Sequence, residues 1–199
     1  MRTGSAAWIQ PATLEGRYVR LEPLQAAHAS ALRVAVADGE LWRLWYTSAP
    51  TPESVEAYIA TALVEREQGV SMPFVVRDAA GDVVGTTRYC HVEAKHRRLE
   101  IGFTWYAARV QRTGLNTEAK FLLLRHAFET LDAIAVEFRT NWFNQRSRTA
   151  IARLGAKQDG VLRNHMLMPD GSYRDTVVFS IIASEWPAVR RQLLFLVDR

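Results

Sequence analysis

Residues 99–131 constrain the fold of this chain more than any other stretch. Leu99, Ile101, Phe103 and Trp105 alternate with Glu100, Gly102, Thr104 and Tyr106, the two-residue period of a strand with two unlike faces. The chain then turns through Gln111-Arg112-Thr113-Gly114-Leu115-Asn116 and enters a helical run from Thr117 to Leu131. A strand that feeds a helix start through a turn leaves backbone N–H groups unpaired, and such a bend is a ready site for a phosphate. A Walker-type nucleotide loop would need Gly-Lys-Ser/Thr at that helix start. The sequence has Leu115-Asn116-Thr117 there and no lysine before Lys120, so that reading fails.

The flanking sequence reads as the rest of a layered α+β unit. Residues 1–14 form an arm or first edge, and Tyr18 to Leu21 a short strand ending at Glu22-Pro23. Residues 24–37 carry Ala27, Ala31, Leu32 and Val36 at helical spacing. A second helix is expected over 52–68, with Thr51 as its N-cap, Pro52 at the first helical position and Glu53 near the positive end of the dipole. Between these helices, Leu41-Trp42-Arg43-Leu44-Trp45-Tyr46 concentrates aromatic residues. Two readings stand for that segment: a binding surface, or a piece of helix packed on the core.

Strands follow at 72–77 and 83–91, joined by the turn Asp78-Ala79-Ala80-Gly81-Asp82. Another is expected at 133–140, with Ile134, Val136 and Phe138 on one face and Ala135, Glu137 and Arg139 on the other. Residues 144–154 read as a helix stopped by Gly155. Residues 157–168 and 175–182 read as strands around the turn Pro169-Asp170-Gly171-Ser172. Ser184 is the expected cap of a last helix, with Pro187 in its first turn, running to about Val197.

Composition narrows the function classes. The chain is 48% apolar over 199 residues, with no repeat and no Gly-, Ser- or Pro-rich linker, so one domain over 1–199 is expected, with its core at about 14–183 and a terminal helix at 184–197. No apolar run is long enough to span a bilayer, and residues 1–11 lack a secretion-leader pattern. Cys90 is the only cysteine, which excludes an intramolecular disulfide and suits a reducing cytoplasm; it reads as a small buried hydrophobe. The formal charge of +4 suits an anionic ligand. Basic residues are scattered apart from His96-Arg97-Arg98 and Arg190-Arg191, so neither a nucleic acid nor a membrane is the expected partner. No metal is expected. The last helix, with Leu193, Leu194, Leu196 and Val197, could serve a homodimer or only the core.

The order of elements, with these residues in place, resembles the GCN5-related N-acetyltransferases, and within them the branch of ribosomal-protein N-terminal acetyltransferases. The likeness runs from Leu14-Glu15-Gly16-Arg17-Tyr18-Val19-Arg20-Leu21 to the last strand. The family signature is Gln or Arg, two residues, Gly, one residue, then Gly or Ala. Gln111 and Gly114 match it; Arg112 stands where many members have Gly, and Asn116 replaces the final small residue. Its placement is the specific part: after Leu99-Glu100-Ile101-Gly102, before Thr117-Glu118-Ala119, and upstream of Asn144-Gln145-Arg146-Ser147 and Leu154-Gly155-Ala156.

The resemblance implies a single GNAT-type domain with a mixed, mostly antiparallel twisted sheet flanked by helices. It implies acetyl transfer from acetyl-CoA to a primary amine by direct attack in a ternary complex, the acceptor being a protein N-terminus or a small molecule. The diphosphate would meet the backbone of Gln111, Arg112, Thr113, Gly114, Leu115, Asn116 and Thr117. Gly114 would permit close approach and unusual dihedrals, while Phe103, Thr104 and Trp105 would pair their backbone with pantetheine like an added strand. The Phe103 and Trp105 side chains are expected in the core. By strand alternation Glu100 shares a face with Gly102 and Thr104, opposite Leu99, Ile101 and Phe103, and is the candidate general base. Asn144 would contact the cofactor and Ser147 protonate the departing thiolate; no Tyr stands further along that helix, where the sequence is Ile151-Ala152-Arg153. Alternatively Asn144 simply caps its helix, with Ser147 in the first turn; both roles can hold at once. Trp42, Trp45, Tyr46 and His165 are candidates for the acceptor side. A non-catalytic acyl-CoA-binding module on the same fold is the alternative.

Overall fold

The structure is a computed structural model and describes residues 8–198. Residues 1–7 of the expected N-terminal arm lie outside that range. Among the described residues, eight strands form one sheet: β1 (Leu14–Glu15), β2 (Val19–Pro23), β3 (Met72–Asp78), β4 (Val83–Glu93), β5 (Arg98–Tyr106), β6 (Ala135–Asn141), β7 (Lys157–Leu167) and β8 (Tyr173–Ile182). Their spatial order is β1-β2-β3-β4-β5-β6-β8-β7, and every neighbouring pair is antiparallel except β5 with β6. Five helices flank it: α1 (Ala29–Ala37), α2 (Val55–Glu67), α3 (Leu115–Arg125), α4 (Gln145–Arg153) and α5 (Trp186–Val197). This is the α+β architecture that the sequence pattern predicts.

The strand period decides which helices cover which face. On β4, Thr86 and Arg88 point to α2, where Tyr58 Oη lies 3.0 Å from Thr86 Oγ1 and Arg88 donates to Glu65 at 2.9 Å. Thr87 and Tyr89 point the other way, and the Tyr89 hydroxyl donates to the Leu123 carbonyl of α3 at 2.6 Å. Phe74, Tyr89, Leu99, Leu123, Phe138 and Ile181 are fully buried between these layers. Each such side chain contributes roughly 1.5–3 kcal/mol of burial free energy. Helix α5 closes the α3 side by laying Trp186 on Phe121 and Phe128. It starts at Trp186 behind Glu185, not at Ser184, and no side chain caps it.

Strand alternation fails at one place in β5. Phe103 takes φ +50, the left-handed region that a bulky side chain rarely enters, and the β4–β5 register slips there between Thr86 and Arg88. The bulge flips everything after it. Phe103 joins the face of Glu100 and Gly102, with its ring 4.1 Å from the Arg88 guanidinium carbon. Thr104 moves to the α3 face, where it lies 2.8 Å from Thr87 Oγ1 and accepts from Lys120 at 2.6 Å. The expected grouping of Thr104 with Glu100 is therefore corrected. So is the core assignment of the Phe103 side chain, which is 39% exposed.

Helix α3 is anchored by a residue that periodicity does not flag. The buried Glu118 carboxylate accepts from the backbone N–H groups of Arg17 and Tyr18 at 2.7 and 2.6 Å. A Cβ on Gly16 would stand 2.4 Å from the Glu118 carboxyl carbon, so a side chain there would push the carboxylate off these amides. The link fixes the start of α3 against the β1–β2 hairpin.

Candidate active site

The parallel pair β5–β6 lasts for only three positions: Arg98 with Ala135, Leu99 with Val136, and Glu100 with Glu137. From Ile101 onward β6 no longer pairs with β5, and that edge of β5 has no strand beside it. Three buried side-chain polar atoms lack a partner among the described residues: Trp105 Nε1, Tyr106 Oη and Asn141 Nδ2. All three lie near the ends of the two strands that separate. A buried polar group without a partner is costly, so their position suits a polar, extended ligand in the gap. Burial also pushes the Tyr106 hydroxyl far above the usual tyrosine range.

The turn after β5 opens onto the same gap. The N–H groups of Arg112, Thr113, Gly114, Asn116 and Thr117 make no hydrogen bond within the described residues; that of Leu115 reaches only Thr113 Oγ1, at 3.3 Å. Gly114 adopts an ordinary helical conformation (φ −64°, ψ −17°), which corrects the expectation that it supplies unusual dihedrals. Arg112 takes the left-handed turn instead, at φ +62. What Gly114 provides is room, since a Cβ there would meet nothing closer than the Tyr18 ring at 3.7 Å. Several side chains of the turn are already committed. Gln111 donates to the Tyr106 carbonyl at 2.9 Å, Thr113 donates to the Val110 carbonyl at 2.7 Å, and Thr117 accepts from Arg153 of α4 at 2.6 Å. Leu115 is core. Backbone amides, not side chains, are thus what this bend presents to an anion, with the α3 dipole behind them.

Glu100 is buried, with 7% of its side chain exposed. Its two named contacts both fall on Oε2: His91 Nδ1 at 2.9 Å and Arg139 Nε at 3.4 Å. Oε1 lies over Gly102, where a Cβ would stand 2.9 Å from it. Gly102 therefore leaves space for the carboxylate. Around this pair, Arg139 also holds Glu137 at 2.9 Å, and Arg98 bonds the other Glu137 oxygen. The hydrogen bond to Glu100 raises the His91 imidazole above the usual histidine range, against the opposing effect of burial. Cys90 is buried, and burial pushes its thiol well up, as expected of a small hydrophobe and not of a nucleophile.

The remaining candidates divide. Asn144 caps α4, its Oδ1 accepting the N–H of Ser147 in the first turn at 3.0 Å. The Ser147 hydroxyl makes no hydrogen bond among the described residues and is half-buried. Trp42 is half-buried against the core, whereas Trp45 is 54% exposed and packs its ring 5.5 Å from both Tyr46 and Phe143. The segment before α2 thereby touches the segment after β6. His165 Nδ1 lies 3.1 Å from Thr176 Oγ1, which also accepts from Arg174 at 3.0 Å; Arg174 in turn interacts with Glu100. Thr176 thus joins His165 to Arg174 by hydrogen bonds, and Arg174 meets Glu100 through the attraction of opposite charges alone. Sequence reasoning missed His91, Arg139 and Asn141. Arg139 carried a signal, since alternation along β6 puts it on the face of Glu137, the cross-strand neighbour of Glu100; His91 did not, because alternation along β4 points it away from that face.

Over residues 19–157 the chain matches the family described as the acetyltransferase (GNAT) domain. It is 31% identical to a GCN5-related N-acetyltransferase from Brucella melitensis, whose crystal structure superimposes with a TM-score of 0.83 over 94% of this chain and 86% of that one. YdaF of Bacillus subtilis (strain 168), provisionally named a ribosomal N-acetyltransferase, is 26% identical over 145 residues, 71% of this chain and 78% of that protein. The fold also matches Mycobacterium smegmatis RimJ, solved in complex with CoA-disulfide, at 24% identity and a TM-score of 0.78 over 93% of this chain and 94% of that one.

Proposed function

This chain belongs to the GNAT acetyltransferase family, and from that premise we propose that it transfers acetyl from acetyl-CoA to a primary amine at the β5–β6 gap. A protein N-terminus is the leading acceptor class, on the likeness to YdaF; a small-molecule amine is the other. The observation that carries the reading is a continuous one. A bend with five free amides opens onto an unpaired strand edge, and that strand carries a buried carboxylate at the point where its neighbour departs.

The amides of residues 112–117 bind the diphosphate, and the free edge of β5 at Phe103, Thr104 and Trp105 orders the pantetheine. Acetyl-CoA supplies the activated thioester. Charge that develops on its carbonyl oxygen is met by unpaired strand N–H groups. Glu100 takes a proton from the attacking amine through Oε1, directly or by way of water. The Ser147 hydroxyl gives a proton to the leaving thiolate and recovers one from solvent. Arg139 and Arg98 balance the charge of Glu137 beside Glu100, which keeps a second carboxylate from repelling the first. Across the gap, Trp45, Tyr46 and His165 meet the acceptor.

The test is a thiol-release screen with peptides bearing Ser or Ala N-termini, spermidine and an aminoglycoside as acceptors. Glu100→Gln should lower kcat by roughly 10²–10⁴-fold while leaving acetyl-CoA binding within a few-fold. Tight binding of acetyl-CoA without turnover of any amine would favour the non-catalytic module. Wild-type turnover in the Gln variant at every pH would remove Glu100 from the chemistry.

A further inference from the structure

Each turnover converts an ammonium and a thioester into an amide, a thiol and one proton. On the reading above, that proton arrives on a carboxylate with little contact with water. We propose that His91 is its exit. The geometry carries this. Glu100 is 7% exposed and His91 is 59% exposed, and His91 Nδ1 lies 2.9 Å from Glu100 Oε2. The imidazole therefore touches the buried acid at one nitrogen and leaves the rest of the ring toward solvent. The backbone at His91 is bent to φ +47, and β4 slips register against β5 just after Cys90. Strict alternation would turn residue 91 away from the face that Cys90 and Glu100 share; the bulge brings it back.

The step balances without another reactant. The amine proton passes to Oε1 of Glu100 as the nitrogen attacks the carbonyl carbon. The carboxyl group then turns about its Cγ–Cδ bond, carrying the protonated oxygen to Nδ1 of neutral His91, and gives up that proton there; the imidazolium releases one from Nε2 to water. Glu100 is again a carboxylate. The ring returns to its starting tautomer by exchange with solvent. The groups around the dyad favour this direction of flow. Arg139 sits 3.4 Å from Glu100 Oε2, and Arg174 of β8 also interacts with Glu100, so positive charge favours return of the acid to its anion. Glu137 of β6 supports the transient imidazolium, Arg139 opposes it, and Arg98 is bound to Glu137. Cys90 stays a buried thiol and takes no part.

His91→Asn is the informative variant, because Asn tolerates left-handed backbone better than other L residues except Gly. The reaction is read with the best acceptor of the thiol-release screen, in a dilute buffer without imidazole. Turnover should fall about tenfold or more with KM for acetyl-CoA unchanged. Added imidazole should restore it along a saturating curve, while Glu100→Gln stays dead at all imidazole concentrations. A second measurement needs no acceptor: the His91 NMR titration should move down toward the ordinary histidine value in the Glu100→Gln protein. Undiminished turnover in His91→Asn, or a loss that imidazole does not repair, overturns the exit. An unmoved His91 titration overturns the coupling on which it rests. Wild-type turnover in Glu100→Gln would instead bring down the general-base reading itself, so the two failures are distinct.

Discussion

Lys120 is held where a charge is costly. It is buried on α3, and its ammonium donates to the hydroxyls of Thr104 and Thr87, with no carboxylate paired to it among the described residues. Burial lowers its pKa from 10.5 to about 7. The unfolded chain therefore binds the extra proton across the window between those values, and stability rises with pH through it. Below that window both states carry the proton and the penalty is constant. Lys120→Met should remove the penalty without orphaning the threonines, which bond each other at 2.8 Å. Chemical denaturation from pH 7 to 10 should find the variant more stable at the lower end, on the order of a few kcal/mol, with the gap closing toward the upper end. A gap independent of pH would mean that Lys120 stays charged. At Gly102 the same scale gives a steric result. Alanine there meets Glu100 Oε1 and Cys90 Sγ at about 3 Å, so Gly102→Ala should cut turnover by displacing the carboxylate, while thermal stability falls only modestly.

The start of α3 joins fold and ligand, and one substitution pulls them apart. Asn116 lies in the first turn, at the positive end of the dipole. An aspartate there should stabilise the empty protein by roughly 0.3–1 kcal/mol and at the same time repel a diphosphate. Asn116→Asp is therefore expected to raise the melting temperature and raise the Kd for acetyl-CoA, two shifts that calorimetry separates. A raised melting temperature with an unchanged Kd would place the ligand elsewhere. Most elements were legible beforehand because their signals are local. The β3–β4 hairpin shows its Asp78–Asp82 turn, α4 its Gly155 stop, and β5 its alternating apolar face. What stayed hidden depends on contacts between distant residues. The bulge at Phe103 follows from pairing with β4, and no period in the sequence announces a φ of +50 in a phenylalanine. Glu118 reads as surface charge until Arg17 and Tyr18 fold over it. The Glu100 position was readable from its strand, but its partner His91 needed the register.

Across the whole molecule the charge excess is modest, at +4, yet the ligand carries several negative charges. The affinity for acetyl-CoA should decline as salt is raised, since exposed charges are screened beyond about 8–10 Å. An affinity flat from low to high salt would shift the weight to backbone pairing in the gap. The sheet itself is two unequal plates, β1–β5 and β6–β8, riveted by three residue pairs. A rivet that short can flex, and an extended ligand laid along the bare margin of β5 supplies the ladder that the plates lack. Amide protons near residues 101–106 should then exchange with deuterium more slowly once acetyl-CoA is present, and the donor would act as a temporary ninth strand.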